Sequence, residues 1–265
     1  IRRASAKTAI TGGPSAVLAQ FETLIDEVCD AKDPKLSAGI AISSAGPLDS
    51  EAGVILGIPT IPGWDNFPIV PVLEDRYGVS VLLENDGIAA AFGEWRHGAG
   101  RALKHMAYLT VSTGIGGGFV VDGRLLHGSK GMAGHLGHMR LSQDGPQCSC
   151  GAMGCFEAFA SGKALEARAH ATSHTRPSGF LELAAHAGAV SAKQVFEGAR
   201  AGDPQCLSLV DAEAKYLGQG ITSIIHLFSP QLVIMGGGLS QAFDLLAPGI
   251  HAVIRSDAMV PFKDV

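Results

Sequence analysis

No stretch of this 265-residue sequence stays apolar for the roughly 20 residues that a bilayer-crossing helix needs. The longest candidate, Ile221 to Phe228, is interrupted by Thr222, Ser223 and His226, so a membrane span is not expected. Positive charge in excess is missing as well. The net charge is -5 with a pI near 6.0, and Arg2, Arg3, Lys32, Lys35, Arg96, Arg101 and Arg140 are scattered, which leaves nucleic-acid binding without an electrostatic basis. A secretory leader is not expected, and neither repeats nor low-complexity segments occur in these 265 residues. Cysteine is sparse at five, and Cys29 and Cys206 are isolated and read as core.

The other three cysteines are concentrated. Gly134-His135-Leu136-Gly137-His138 is followed by Cys148-Ser149-Cys150-Gly151-Ala152-Met153-Gly154-Cys155-Phe156-Glu157. His138, Cys148, Cys150 and Cys155 make a Cys3His set, which closes a tetrahedral structural Zn2+ and leaves no open position for a catalytic water. Gly151 and Gly154 let the loop fold back, and a helix is expected from Phe156, so Glu157 would be launched from a pinned position. Thiols offered to a metal need a reducing compartment, which places the protein in the cytoplasm.

A length of 265 residues with 46% hydrophobic content suits about two domains. Helices are expected from Pro14 to Val28, over Ile69 to Tyr77, from Asp86, over Ser191 to Ala201 and over Asp203 to Phe228. Strands are expected over Ser37 to Ser43, Val79 to Leu83, Met106 to Val111, Gly117 to Val121 and Gln231 to Met235, with a turn at Asp122-Gly123. The alternation argues for an α/β architecture, divided into residues 1–90 and 91–265.

Three loops carry chemistry. Ser112-Thr113-Gly114-Ile115-Gly116-Gly117-Gly118 is a glycine-rich turn between strands, and Gly236-Gly237-Gly238 follows another strand; both are either phosphate cradles or plain turns. Leu83-Glu84-Asn85-Asp86-Gly87 puts a carboxylate where a strand meets a helix. Asp86 is then either the helix N-cap or a general base that takes the proton of an alcohol during phosphoryl transfer.

These motifs together resemble the ROK sugar kinases, over nearly the whole chain. The resemblance rests on Glu84-Asn85-Asp86, Ser112 to Gly118, His138 with the cysteine segment and Glu157, Ala160-Ser161-Gly162, and the glycines at 236 to 238. It implies an actin/hexokinase-like (ribonuclease H-like) two-domain α/β fold with an interdomain cleft and a structural zinc loop. It also implies an ATP-dependent kinase acting on the 6-hydroxyl of a hexose, with Asp86 as base and Gly46, Asn85, His135, His138 and Glu157 at the sugar. Thr113, Gly114, Gly116, Gly117, Gly236, Gly237 and Gly238 would bind ATP, whose charge Mg2+ neutralises. A homodimer is expected, with no nucleic-acid or membrane partner.

His135 stands where many glucose-type members have Glu. With Gly145-Pro146-Gln147-Cys148 and the segment Ala192 to Pro204, it is similar to the family's N-acetylmannosamine kinases, which would tie the chain to sialic acid catabolism. His135 could instead be a core donor without substrate contact. A glucokinase is the alternative substrate reading, and a sugar-responsive repressor of the same family is the alternative class, to be decided by a helix-turn-helix ahead of residue 1. The family's Pro-Asn pair appears here as Pro59-Thr60, which removes one expected sugar-binding amide. A DxGGT-type phosphate hairpin is expected before Ile1 and a closing helix after Val265, so a longer parent chain is expected.

Overall fold

The computed structural model describes residues 2–29, 38–58, 61, 63–175, 179–181 and 190–263; Ser37, Pro59 and Thr60 lie outside the described residues. The chain divides into two compact units, residues 1–89 with 127–133, and residues 90–126 with 134–265. Among the described residues, no helix is long and apolar enough to cross a membrane.

In the first unit, helix α1 (Gly13–Val28) begins with Pro14 in its first turn, where a missing N–H costs nothing. Strand β1 (Ile40–Ser44) pairs in parallel with β4 (Val81–Asn85), from Ile40↔Val81 to Ser44↔Asn85. Between them lie the antiparallel pair β2 (Leu48–Asp49) and β3 (Val54–Ile55) and helix α2 (Ile69–Tyr77), which Gly78 ends in the left-handed conformation. Val17, Leu48, Ile55, Trp64, Ile69, Leu73, Val81 and Leu83 form the core. Residues 127–133 belong here because the Ser50 N–H donates to the Lys130 carbonyl at 3.1 Å and Lys130 Nζ reaches Asp49 Oδ2 at 3.8 Å. Helix α3 (Asp86–His97) follows β4 directly, and the boundary between the units falls inside it.

The second unit is built on β5 (Met106–Val111), β6 (Ile115–Val121), β7 (Arg124–Leu125) and, much later in the chain, β8 (Leu232–Gly236), in the order β7-β6-β5-β8. Strands β5 and β6 pair antiparallel across a three-residue connection, whereas β5 and β8 are parallel, a pairing that requires a long crossover. The crossover contains α4 (Phe156–Ala160), α5 (Gly162–Thr175), α6 (Ala192–Arg200) and α7 (Pro204–Phe228). Helix α8 (Phe243–Asp257) follows β8. Local chemistry sets the ends: Ser191 and Gln194 form a reciprocal capping box on α6, and the Asp203 carboxylate accepts from the Gln205 and Cys206 N–H groups at the start of α7. Asp122 and Gly123 both take positive φ (51° and 68°), as a two-residue hairpin turn between β6 and β7 requires. Leu109, Val111, Phe119, Phe156, Leu165, Leu217, Ile221 and Leu246 lie in one buried cluster. Four strands differ from expectation: β1 runs over Ile40–Ser44 against an expected Ser37 to Ser43, and β8 over Leu232–Gly236 against an expected Gln231 to Met235, each following the extent of its ladder. The ladder captures Ile115 to Gly118, so β6 starts two residues before Gly117, and β4 runs from Val81 through Asn85 because its pairing to β1 extends that far.

Candidate active site

In the first unit, the parallel ladder brings the C-terminal ends of β1 and β4 together. Gly46 follows β1, is half-buried and precedes a cis peptide bond to Pro47; Asn85 ends β4, and Asp86 starts α3. Capping falls to Asn85: its Oδ1 accepts from the N–H groups of Gly87 at 3.0 Å and Ile88 at 3.4 Å. Asp86 is exposed and, among the described residues, accepts from the adjacent Gly87 N–H alone, at 2.9 Å through Oδ1. The first orphan amides of the helix are therefore satisfied mainly by its neighbour. Glu84 is committed to structure, accepting the Asn85 N–H at 2.9 Å and facing His127 Nε2 at 3.1 Å.

In the second unit, a turn at Leu136–His138 and the loop before α4 face one another. Gly151 (φ 89°) and Gly154 (φ 73°) turn the loop, with the Cys148 N–H donating to the Ala152 carbonyl at 2.8 Å. One ligand atom from each of His138, Cys148, Cys150 and Cys155 lies within 4.8 Å of all the others. Cys150 Sγ and Cys155 Sγ are 3.7 Å apart, as are Cys148 Sγ and His138 Nδ1. In a tetrahedral site with Zn–S ~2.3 Å and Zn–N ~2.1 Å, such edges measure ~3.8 and ~3.6 Å, so these two of the six donor–donor edges match what such an ion demands. Burial pushes the Cys155 thiol up to about 12, whereas hydrogen bonds from the Ala152 backbone and the Cys148 side chain hold Cys150 below the ordinary thiol value.

Phe156, fully buried, fixes the start of α4 and with it Glu157. Glu157 bridges two loops: Oε2 accepts the Ile115 N–H at 2.8 Å, and Oε1 accepts from Ser149 Oγ at 3.2 Å with Cys148 Sγ at 3.9 Å. His135 is exposed, its ring 6.1 Å from that of His138 between centroids.

The glycine loops divide their work. Thr113 and Gly238 line an open cavity of about 450 Å³ together with Ser112, Gly162, Lys163, Glu166, Lys193 and Arg200. The other glycines do not line it. Gly114 backs onto the Glu157 carboxylate; Gly116 and Gly117 are strand residues of β6, Gly117 against the Tyr108 carbonyl; Gly236 ends β8 beside the Tyr108 hydroxyl. Gly237, at φ 87°, turns the chain against the Val111 carbonyl, where a side chain has no room. The cavity's charged residues were not singled out in the sequence, although Lys193, Glu197 and Arg200 at i, i+4 and i+7 mark one face of α6. Lys193 pairs with Glu197 at 3.7 Å, and Arg200 with Asp244 at 2.8 Å.

Comparison with known proteins is consistent with this geometry. Residues 12–264 match the model of the ROK family. The chain is 36% identical over 247 residues to a glucokinase of Thermotoga maritima, covering 93% of this chain and 77% of the relative. It is 37% identical over 220 residues to an N-acetylmannosamine kinase of Citrobacter koseri, covering 83% and 71%. Its structure resembles that of a ROK family glucokinase from Streptomyces griseus in complex with glucose and AMPPNP, with a TM-score of 0.82, 30% identity and coverage of 95% and 80%. On the family match across nearly its full length and these similarities, the chain belongs to the ROK family and has the actin/hexokinase-like α/β fold of its sugar kinases.

Proposed function

We propose that the protein is an ATP-dependent kinase for the 6-hydroxyl of a hexose-type sugar, with N-acetylmannosamine ranked ahead of glucose. The observation that carries the reading is the β4–α3 corner: Asn85 performs the capping, and the exposed Asp86 carboxylate is left to accept a proton. In the reaction, Asp86 takes the hydroxyl proton as the sugar oxygen bonds to the γ-phosphorus and the bond to the ADP oxygen breaks. The Asn85 amide nitrogen, His138 and Glu157 suit sugar hydroxyls as donors and acceptor, and Gly46 lets backbone approach closely. His135 is the candidate reader of the substituent at the sugar's second carbon.

The cavity beside Thr113 and Gly238 suits the nucleotide, because it offers loop amides, hydroxyls and the cations Lys163, Lys193 and Arg200 to phosphate. Mg2+ carried with ATP neutralises the triphosphate. The Cys3His set suits a structural Zn2+ that fixes the loop bearing Ser149 and, through it, the Glu157 carboxylate. Two substrates remain in competition, since glucokinase and N-acetylmannosamine kinase relatives match the chain about equally well.

Incubating the full-length protein with ATP, Mg2+ and glucose, mannose, N-acetylglucosamine or N-acetylmannosamine, and following ADP and the sugar 6-phosphate by NMR, tests both levels. Sugar-dependent ADP release with the highest kcat/KM for N-acetylmannosamine is expected. Preference for glucose moves the assignment to a glucokinase, and no sugar-dependent turnover with any hexose removes the kinase reading.

A further inference from the structure

Helix α5 lines the cavity with its first turns, but two residues near its far end have no part in the chemistry above. His170 and His174 are exposed, with their Nε2 atoms 3.2 Å apart, ring centroids 4.5 Å apart and ring planes at 88°. Residues at i and i+4 share one helix face, so this juxtaposition is a property of the helix. Its backbone is supported through the pair: the Ser173 hydroxyl donates to the His170 carbonyl at 2.7 Å, and Thr175 Oγ1 donates to the Ala171 carbonyl at 3.0 Å.

We propose that His170 and His174 form a second metal site, a two-nitrogen chelate for a divalent transition-metal ion of the Zn2+, Ni2+ or Cu2+ class. Two imidazole nitrogens bonded to one ion at ~2.1 Å lie ~3.0 Å apart at a right angle and ~3.4 Å apart at a tetrahedral angle. The observed 3.2 Å falls between these, so the Nε2 separation already matches a chelate, and turning the rings about their side-chain bonds aims both lone pairs at one ion. Imidazole nitrogen selects these ions over Mg2+ and Ca2+, which favour oxygen. Between neutral rings one Nε2 carries the shared hydrogen; on binding, that ring shifts its proton to Nδ1, both Nε2 lone pairs bond the ion, and no proton is released.

Among the described residues, no third ligand-type side chain joins the pair, so water completes the coordination shell. Glu166, one turn earlier, is directed to the Ala192 N–H at 3.2 Å. The chelate is therefore open and exchangeable, in contrast to the closed thiolate set at Cys148, Cys150 and Cys155, and it contains no cysteine.

Calorimetric titration of Ni2+ into the zinc-loaded full-length protein tests the site without disturbing the cysteines. One Ni2+ per chain is expected, with affinity weakened at least about tenfold in His170→Ala and in His174→Ala, and retained in His251→Ala, which removes an exposed histidine of α8. Ni2+ should raise the melting temperature of the wild type and not of the two α5 variants, whose melting temperature and zinc content without Ni2+ should match the wild type. Absence of Ni2+ binding to the wild type at millimolar concentration, or wild-type affinity in either α5 variant, overturns the proposal.

Discussion

Replacing Gly114 with Ala separates two roles that the β5–β6 turn could play, contact with the nucleotide and support of the sugar carboxylate. A methyl group on Gly114 would run into Glu157 Oε2. That oxygen is the far end of a flexible side chain, and Gly114 does not need a left-handed φ, so the fold should survive while the carboxylate swings aside. The swing breaks the 2.8 Å bond from the Ile115 N–H, a bond to a charged group worth about 1.5–3 kcal/mol. If Glu157 holds the sugar in both the ground and transition states, the displaced carboxylate also loses its bond from a sugar hydroxyl, of the same charged kind and worth about 1.5–3 kcal/mol, which appears as a rise of roughly 10- to 150-fold in the sugar KM with kcat little changed. The ATP KM should stay within about twofold, because Gly114 does not line the cavity proposed above for the nucleotide. Steady-state kinetics with each substrate varied in turn, beside melting temperature and zinc content, measures all of this. A rise in ATP KM alone makes Gly114 a nucleotide glycine, and no change in either KM removes Glu157 from the sugar site.

Three further outcomes are expected. Asp86→Asn should lower kcat by roughly 10²- to 10⁴-fold at unchanged melting temperature, since Asn85 still caps α3; near-normal turnover in a folded variant rules out the base. Metal analysis should find about one zinc per chain, and Cys150→Ser should lose it and melt earlier, by a fraction of the order of 10 kcal/mol that structural zinc supplies in small domains; zinc-free wild type prepared without chelator contradicts this. Glu213, fully buried beside Arg168, is pushed up to about 7 by burial, with Arg168 opposing the shift. Between its ordinary 4.5 and about 7 the folded state keeps a proton that the unfolded chain has lost, so stability should fall as pH rises through that window, by on the order of 3 kcal/mol. In Glu213→Gln this component of the slope should vanish, as denaturant titrations at pH 4.5 and 7.5 would show; an unchanged slope assigns it to other groups.

The sequence by itself determined those features whose partners are close along the chain. Pro14, Ser191 with Gln194, and Asp203 fix the starts of α1, α6 and α7 because caps bond within a turn. Asp122-Gly123 specifies its hairpin because few residues accept positive φ twice in succession. The four donors at His138, Cys148, Cys150 and Cys155 were legible as a set because a short, glycine-turned loop has few ways to keep them apart. At Asp86 the sequence left cap and base open, and only the hydrogen bonds of Asn85 assigned the capping.

Tertiary structure decided what depends on distant partners. Residues 127–133 join the first unit through Ser50 and Asp49, and nothing in their own composition marks that destination. The glycines of 114–117 look alike in sequence, yet Gly114 faces Glu157 while Gly116 and Gly117 are held in the β6 ladder. The cavity gathers Thr113, Lys163, Arg200 and Gly238 from four separate segments of the second unit. Caps and turns are settled by the dihedral choices of a few adjacent residues, whereas these sites exist only after long loops have closed and β8 has paired with β5, a step stabilised by the buried core as a whole and by no single motif.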